Sequence, residues 1–63
     1  MTSEEFKATL VLLGYKQNEN YCNNFRLYNN SITVGNNFSY LQVDGNLVGG
    51  TWTFDYLLKQ LVE

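Results

Sequence analysis

A chain of 63 residues has room for one domain, residues 1–63, with one small hydrophobic core. It contains one cysteine and no histidine, so it cannot form an internal disulfide and lacks the usual ligands of a zinc site. Its net charge of −2 is opposite in sign to the basic surface with which proteins neutralise nucleic-acid phosphates, which argues against nucleic acid as the partner.

The first predicted element is a helix over residues 2–13. Thr2 followed three residues later by Glu5 is the pattern of a capping box, and Gly14 is typical of the residue that follows a helix. The apolar residues with the spacing of one helix face are Phe6, Leu10 and Leu13.

A second apolar stripe runs along the same helix. It consists of Ala8, Val11, Leu12 and Tyr15. Because the remaining surface of such a helix is normally polar, this stripe is either a contact between two copies of the chain or the flank that packs on a second helix. The stripe is therefore a candidate homodimer contact.

Three two-residue turns are predicted to divide the centre of the chain into strands. Asp44 and Gly45 lie between alternating apolar positions, and both residue types tolerate the positive φ of a type I′ hairpin turn. Asn also tolerates positive φ, which favours turns at its paired occurrences. The predicted turns are Asn29-Asn30, Asn36-Asn37 and Asp44-Gly45. The segment 16–20 is predicted to be a connection, and residues 23–24 are either a bulge or the end of that connection.

These turns fix a strand register. The predicted pairs are Leu27 with Ile32, Phe25 with Val34, Ile32 with Leu41, Leu41 with Val48, and Tyr40 with Gly49. Since side chains alternate between the faces of a sheet, the paired aliphatic residues and Val43 share one face. The opposite face is predicted to carry Arg26, Tyr28, Thr33, Phe38, Tyr40, Gln42 and Leu47.

The last predicted element is a helix that begins after Thr53, a favourable N-cap, and carries Asp55 in its first turn. Its apolar stripe consists of Phe54, Leu57, Leu58, Leu61 and Val62. Residues 49–50, both glycine, would let the chain leave the last strand and turn back over the aliphatic face. The predicted fold class is α+β: a two-layer domain with a helix, a three- or four-stranded antiparallel meander and a helix, and with both helices on one sheet face.

The sequence shows no pattern typical of an enzyme. The chain has no histidine to pair with a nucleophile, and its adjacent glycines are not followed by the lysine of a phosphate-binding loop. We predict no catalytic residue, no metal site and no cofactor. Cys22 lies at a predicted strand start beside Tyr21 and Asn23, without the neighbouring cation or helix N-terminus that a reactive thiol needs, so it is interpreted as an ordinary, partly buried cysteine.

The aromatic and polar sheet face is the candidate partner-binding site. Tyrosine is common at protein interfaces, which favours a protein partner of unknown identity. Aromatic rings also stack on bases, and this keeps a nucleic-acid-binding module as an alternative. A self-associating structural protein that uses the first helix is a third hypothesis.

The order helix, three strands, helix resembles the double-stranded-RNA-binding domain in topology. That family binds phosphates with a lysine-rich start to its second helix. Here the corresponding segment is Thr53-Phe54-Asp55-Tyr56, and Lys59 is the first cation after it. The chain thus departs from the family at the residues that carry its function.

The chain is also similar to small uncharacterised proteins encoded by bacteriophages. The similarity lies in residues 2–6 and 13–15, in the central 40–45 and in the closing 54–58. This resemblance implies a phage-type accessory protein that binds a host protein. No segment is apolar enough to span a membrane and the N-terminus does not resemble a signal peptide, so the expected localisation is cytoplasmic, in the host cell if the protein is phage-encoded.

Overall fold

A computed structural model describes residues 1–62, which form two helices and five strands. In chain order the elements are α1 (Ser3–Leu12), β1 (Lys16–Gln17), β2 (Asn24–Leu27), β3 (Asn30–Val34), β4 (Ser39–Val43), β5 (Asn46–Trp52) and α2 (Phe54–Val62). The strands pair antiparallel, each with the next in the chain, to give one open sheet. The core joins both helices to one face of this sheet, which confirms the predicted α+β class.

The sheet has five strands rather than three or four, because the segment after α1 is not only a connection. Lys16 pairs with Arg26, and Gln17 pairs with Phe25. Strand β1 is two residues long and both of its residues are polar, so it carries no alternation from which a strand could be predicted.

The predicted capping box starts α1. Thr2 Oγ1 accepts a hydrogen bond from the Glu5 backbone N–H at 3.2 Å, and the Thr2 backbone N–H donates to Glu5 Oε1 at 2.8 Å. The donation from the Thr2 backbone, together with a bond from its hydroxyl, lowers the pKa of the Glu5 carboxyl. Two backbone N–H groups at the start of the helix, those of Thr2 and Glu5, thus find side-chain acceptors within the first turn.

The end of α1 is a Schellman motif. Gly14 has a φ of 102°, and its N–H donates to the Val11 carbonyl at 3.0 Å. The Tyr15 N–H donates to the Leu10 carbonyl at 2.9 Å. These two bonds are the pair that defines the motif, and they confirm the predicted end of the helix at Gly14.

The predicted register of β3, β4 and β5 is confirmed around the central hairpin. Ile32 pairs with Leu41, and Leu41 pairs with Val48. Asp44 and Gly45 have φ values of 54° and 82°, which are both positive as a type I′ turn requires.

The predicted register of β2 and β3 is wrong by two residues. Phe25 pairs with Ile32 rather than with Val34, and Ile32 therefore does not pair with Leu27. The turn lies at residues 28–29, one position earlier than the predicted 29–30. Because the error is an even number of residues, the aliphatic side chains keep their predicted face.

Contacts from neighbouring elements explain why Asn30 joins the strand instead of the turn. Asn30 pairs with Val43 of β4, and its Nδ2 donates to the Tyr15 hydroxyl at 3.3 Å. The carbonyl of Asn29 accepts from the Asp44 N–H at 3.0 Å. Asn29 and Asn30 have the same intrinsic preference for turns, so tertiary contacts decide which of them lies in the turn.

Strand β5 does not end at residues 49–50 as predicted but continues to Trp52. Two steps along β4, from Ser39 to Leu41, correspond to four steps along β5, from Trp52 to Val48. This difference is a β-bulge, which lets the chain change direction inside the strand rather than after it.

Trp52 covers the bulge. Its Nε1–H donates to the Val48 carbonyl at 2.8 Å, and its ring lies over Gly49. Gly49 has a φ of 67° and does not form the predicted pair with Tyr40.

The second helix begins as predicted. Thr53 Oγ1 accepts from the Tyr56 N–H at 3.3 Å, and the Tyr56 ring stacks on Trp52 at a centroid distance of 5.0 Å. Phe54 of α2 stacks on Phe6 of α1 at 4.9 Å, which ties the two helices together. The buried core consists of Phe6, Leu10, Tyr15, Phe25, Ile32, Val34, Leu41, Phe54 and Leu57.

Candidate functional site

The sheet face turned away from the helices, here called the outer face, carries the side chains that alternate with the core. One row of paired residues across it is Lys16, Arg26, Ser31, Gln42 and Leu47. A second row is Asn24, Thr33 and Tyr40. Five of the predicted partner-binding residues therefore lie in these two rows, namely Arg26, Thr33, Tyr40, Gln42 and Leu47, and their role as partner contacts stays a prediction.

Two aromatic residues lie together at one end of the outer face. The rings of Phe38 and Tyr40 meet edge to face at a centroid distance of 5.3 Å. The half-buried ring of Phe38 also lies against Gly35, where an added Cβ would be 2.9 Å from it. Of this pair, Tyr40 is the more exposed, so it offers the larger surface to a partner.

Tyr28 does not belong to the outer face, contrary to the prediction. It lies in the turn between β2 and β3 with a φ of 52°, and its side chain is 93% exposed. That turn and the Phe38–Tyr40 pair lie at opposite ends of β3, about 13 Å apart at about 3.3 Å per residue. The three predicted aromatics therefore do not form one platform.

A groove of about 720 Å³ runs along the outer face. Its floor is formed by the strand residues Asn24, Arg26, Ser31, Thr33 and Gln42. Its wall is formed by residues between β1 and β2, namely Asn18, Asn20, Tyr21, Cys22 and Asn23. Asn29 and Gly45 close the end formed by the two hairpin turns. This volume lies within the range of ligand sites in proteins, about 300–1,000 Å³.

Hydrogen bonds order both the wall and the floor of the groove. Gln17 Nε2 donates to the Cys22 carbonyl at 2.8 Å, and the Asn20 N–H donates to Asn18 Oδ1 at 2.8 Å. On the floor, Asn24 Nδ2 donates to Ser31 Oγ at 2.9 Å. These bonds restrict the positions of the residues that line the groove.

The charge of the groove is positive, although the chain as a whole is acidic. Among residues 1–62, Arg26 is the charged residue of the lining, and no carboxylate lines the groove. Lys16, which pairs with Arg26 across β1 and β2, adds a second cation beside it. Within residues 1–62 neither cation forms an ion pair, since the ion pairs there involve Lys7 and the N-terminal amine.

Cys22 is exposed at the wall of the groove. Its Sγ lies 3.7 Å from Asn23 Oδ1, a weak hydrogen bond to a neutral amide. The partly buried position predicted for Cys22 is therefore wrong, because the residue lies in the irregular segment between β1 and β2 and is exposed there.

The candidate dimer contact on α1 is only partly exposed. Ala8, Val11 and Leu12 face solvent, whereas Tyr15 is buried in the core. Tyr15 follows the end of the helix, and the Schellman motif directs it inward. Self-association through the three exposed residues stays a prediction.

A second, smaller groove of about 400 Å³ lies between the C-terminal ends of the helices and the sheet. Its apolar lining is Leu13, Leu27, Leu41, Val43 and Leu61. The helices thus cover the aliphatic face incompletely near the hairpin turns.

The described part of the chain shows no group of three or more acidic, cysteine or histidine residues arranged to hold a metal ion. Neither α1 nor α2 has the length and apolar character of a membrane-crossing helix.

Sequence reasoning missed the wall of the groove. Residues 18–23 contain three asparagines, and these predict irregular structure without indicating where it folds. The two cations beside the groove, Lys16 and Arg26, could have been placed together only if β1 and its pairing with β2 had been predicted.

Comparisons with protein-family models, with curated proteins and with solved structures each return no match for this chain.

Proposed function

We propose that the protein is a non-catalytic binding protein that contacts a protein partner through the outer face of its sheet. The observation that carries this proposal is the one-sided architecture. Both helices pack on the same side of the sheet, so within residues 1–62 no helix covers the other side.

The composition of the outer face supports a protein partner. Tyr40 and Leu47 supply exposed apolar surface, and the groove beside them supplies amides, hydroxyls and a guanidinium. A few apolar anchors surrounded by hydrogen-bonding groups are typical of protein interfaces, in which tyrosine and arginine are enriched.

The resemblance to small bacteriophage proteins supports a host protein as the class of partner. An accessory protein of this kind acts by occupying a surface on its target, which needs no catalytic group. A bacterial lysate is therefore the appropriate source from which to capture the partner.

The test compares two tyrosines, one on the outer face and one outside it. Affinity-tagged wild-type protein and the variants Tyr40→Ser and Tyr28→Ser are used to capture proteins from lysate, and the captured proteins are quantified by mass spectrometry. We expect Tyr40→Ser to lose a partner that the wild type enriches, because it removes an aromatic contact from the face. Tyr28→Ser removes an equal side chain from the turn and should keep that partner.

Circular dichroism of each variant establishes that the fold is retained. Equal capture by the wild type and by Tyr40→Ser would contradict the proposal. Replacing the lysate with oligonucleotides distinguishes the nucleic-acid alternative, since phosphate contacts give affinity that falls steeply with salt.

A further inference from the structure

We infer that the groove on the outer face binds an acidic segment of the partner protein, with a carboxylate placed at Arg26. This inference rests on the proposed function and names the chemistry of the partner. It is carried by the charge and the hydrogen-bonding groups of the groove.

The first step concerns charge. Arg26 is in the floor of the groove, and the described part of the chain contributes no acidic residue to the lining. Glu19 and Asp44 are adjacent in sequence to lining residues, but their side chains are not part of the lining. A guanidinium without an acidic neighbour offers the two parallel N–H donors that carboxylates bind best.

The second step concerns repulsion between two cations. Lys16 and Arg26 are directly paired across β1 and β2, so their side chains leave the same face of the sheet. Like charges at such positions destabilise a pair of strands. An anion bound between them would relieve that repulsion, which makes binding an anion more favourable here than at a single exposed cation.

The third step concerns the rest of the lining. Asn20, Asn23, Asn29 and Gln42 carry primary amides, which donate and accept hydrogen bonds as the peptide backbone does. Such a lining suits the backbone of a peptide segment. A groove of about 720 Å³ is large enough for several residues of it, since it lies in the range occupied by drug-sized ligands.

The experiment measures the binding of short peptides by fluorescence anisotropy. The probes carry a zwitterionic rhodamine label and alternate serine with glutamate, with glutamine or with lysine. We expect the glutamate peptide to bind the wild-type protein at least about tenfold more tightly than the glutamine peptide, because a charge-assisted bidentate pair replaces neutral hydrogen bonds. The preference should weaken as salt rises.

The variant Arg26→Gln should lose this preference. Lys59→Gln is the matched control, because it also removes one positive charge but lies on α2, away from the groove. It should keep the preference. Thermal denaturation of both variants verifies that they remain folded.

Three outcomes would overturn the inference: equal binding of the glutamate and glutamine peptides, no binding of either, or a preference that survives Arg26→Gln. Tighter binding of a single-stranded oligonucleotide than of the glutamate peptide would also overturn it. Partner capture that depends on Tyr40 together with a failed peptide experiment would leave the proposed function intact and remove the inference alone. Capture that is indifferent to Tyr40 would remove the proposed function.

Discussion

Gly49 combines two constraints that a larger residue would violate. Its φ is 67°, and a Cβ added to it would lie 3.1 Å from the Trp52 indole. We expect Gly49→Ala to lower the free energy of unfolding by more than about 1 kcal/mol, because an L-residue in the left-handed region costs about 1–2 kcal/mol and the ring must also shift. Urea denaturation measures the loss.

Gly50 is the matched control, because it is the next residue in the same bulge. Apart from Gly50 itself and its two chain neighbours, no residue of the described part of the chain comes within 4 Å of a Cβ added there, and its φ is outside the left-handed range. Gly50→Ala should change the free energy of unfolding by less than about 0.5 kcal/mol, as substitutions of unconstrained surface residues usually do. Equal losses for the two variants would show that the indole contact and positive φ do not matter.

The turn between β2 and β3 contains a residue type that is poorly suited to its backbone conformation. Tyr28 has a φ of 52°, a conformation that asparagine adopts several times more readily than bulky residues do. The Tyr28 side chain is almost fully exposed, so its removal sacrifices little packing. We expect Tyr28→Asn to raise the urea midpoint by an amount equivalent to about 0.5 kcal/mol.

Tyr21→Asn serves as the reference for this experiment. Tyr21 is also an exposed tyrosine in an irregular segment, but its φ is not positive. That variant should show no gain. A Tyr28→Asn variant less stable than the wild type would mean that the tyrosine makes stabilising contacts in the turn.

The elements that the sequence predicted correctly are those with a complete local pattern. The first helix has a capping residue, an apolar stripe and a terminal glycine, and the central hairpin has Asp44 and Gly45 between alternating strands. In each case the residues within the element itself indicate its type and where it ends or turns. Their limits and register consequently needed no information from elsewhere in the chain.

The elements that were predicted wrongly depend on distant contacts. The position of the turn near Asn29 is set by hydrogen bonds from Asp44 and to Tyr15. Strand β1 exists because β2 pairs with it. The groove on the outer face was missed for the same reason, since its wall and its floor come together only in the tertiary structure.

A domain of 63 residues has a small total stability, which makes its core sensitive to single substitutions. At about 0.05–0.15 kcal/mol per residue the free energy of unfolding is about 3–9 kcal/mol. Leu10 is fully buried. We expect Leu10→Ala to cost about 2–5 kcal/mol, a large share of that total, and to lower the melting temperature strongly, as thermal circular dichroism would show.

Leu12 allows the same substitution two residues away in the same helix. It is 86% exposed, so Leu12→Ala removes little buried surface. We expect its melting curve to coincide with that of the wild type within a few degrees. A large loss would indicate that Leu12 is covered in solution, as it would be by a second copy of the chain.

The bulge in β5 has a consequence for the whole molecule at high concentration. In the hairpin, the backbone groups of Asn46 are paired with those of Val43 on β4. Because backbone groups alternate in direction along a strand, the N–H and C=O of Leu47 point away from β4, towards the free edge. Beyond Val48 the bulge breaks the alternation. A strand from another molecule would therefore find only a very short template at this edge. This edge therefore offers little free backbone from which a fibril could grow.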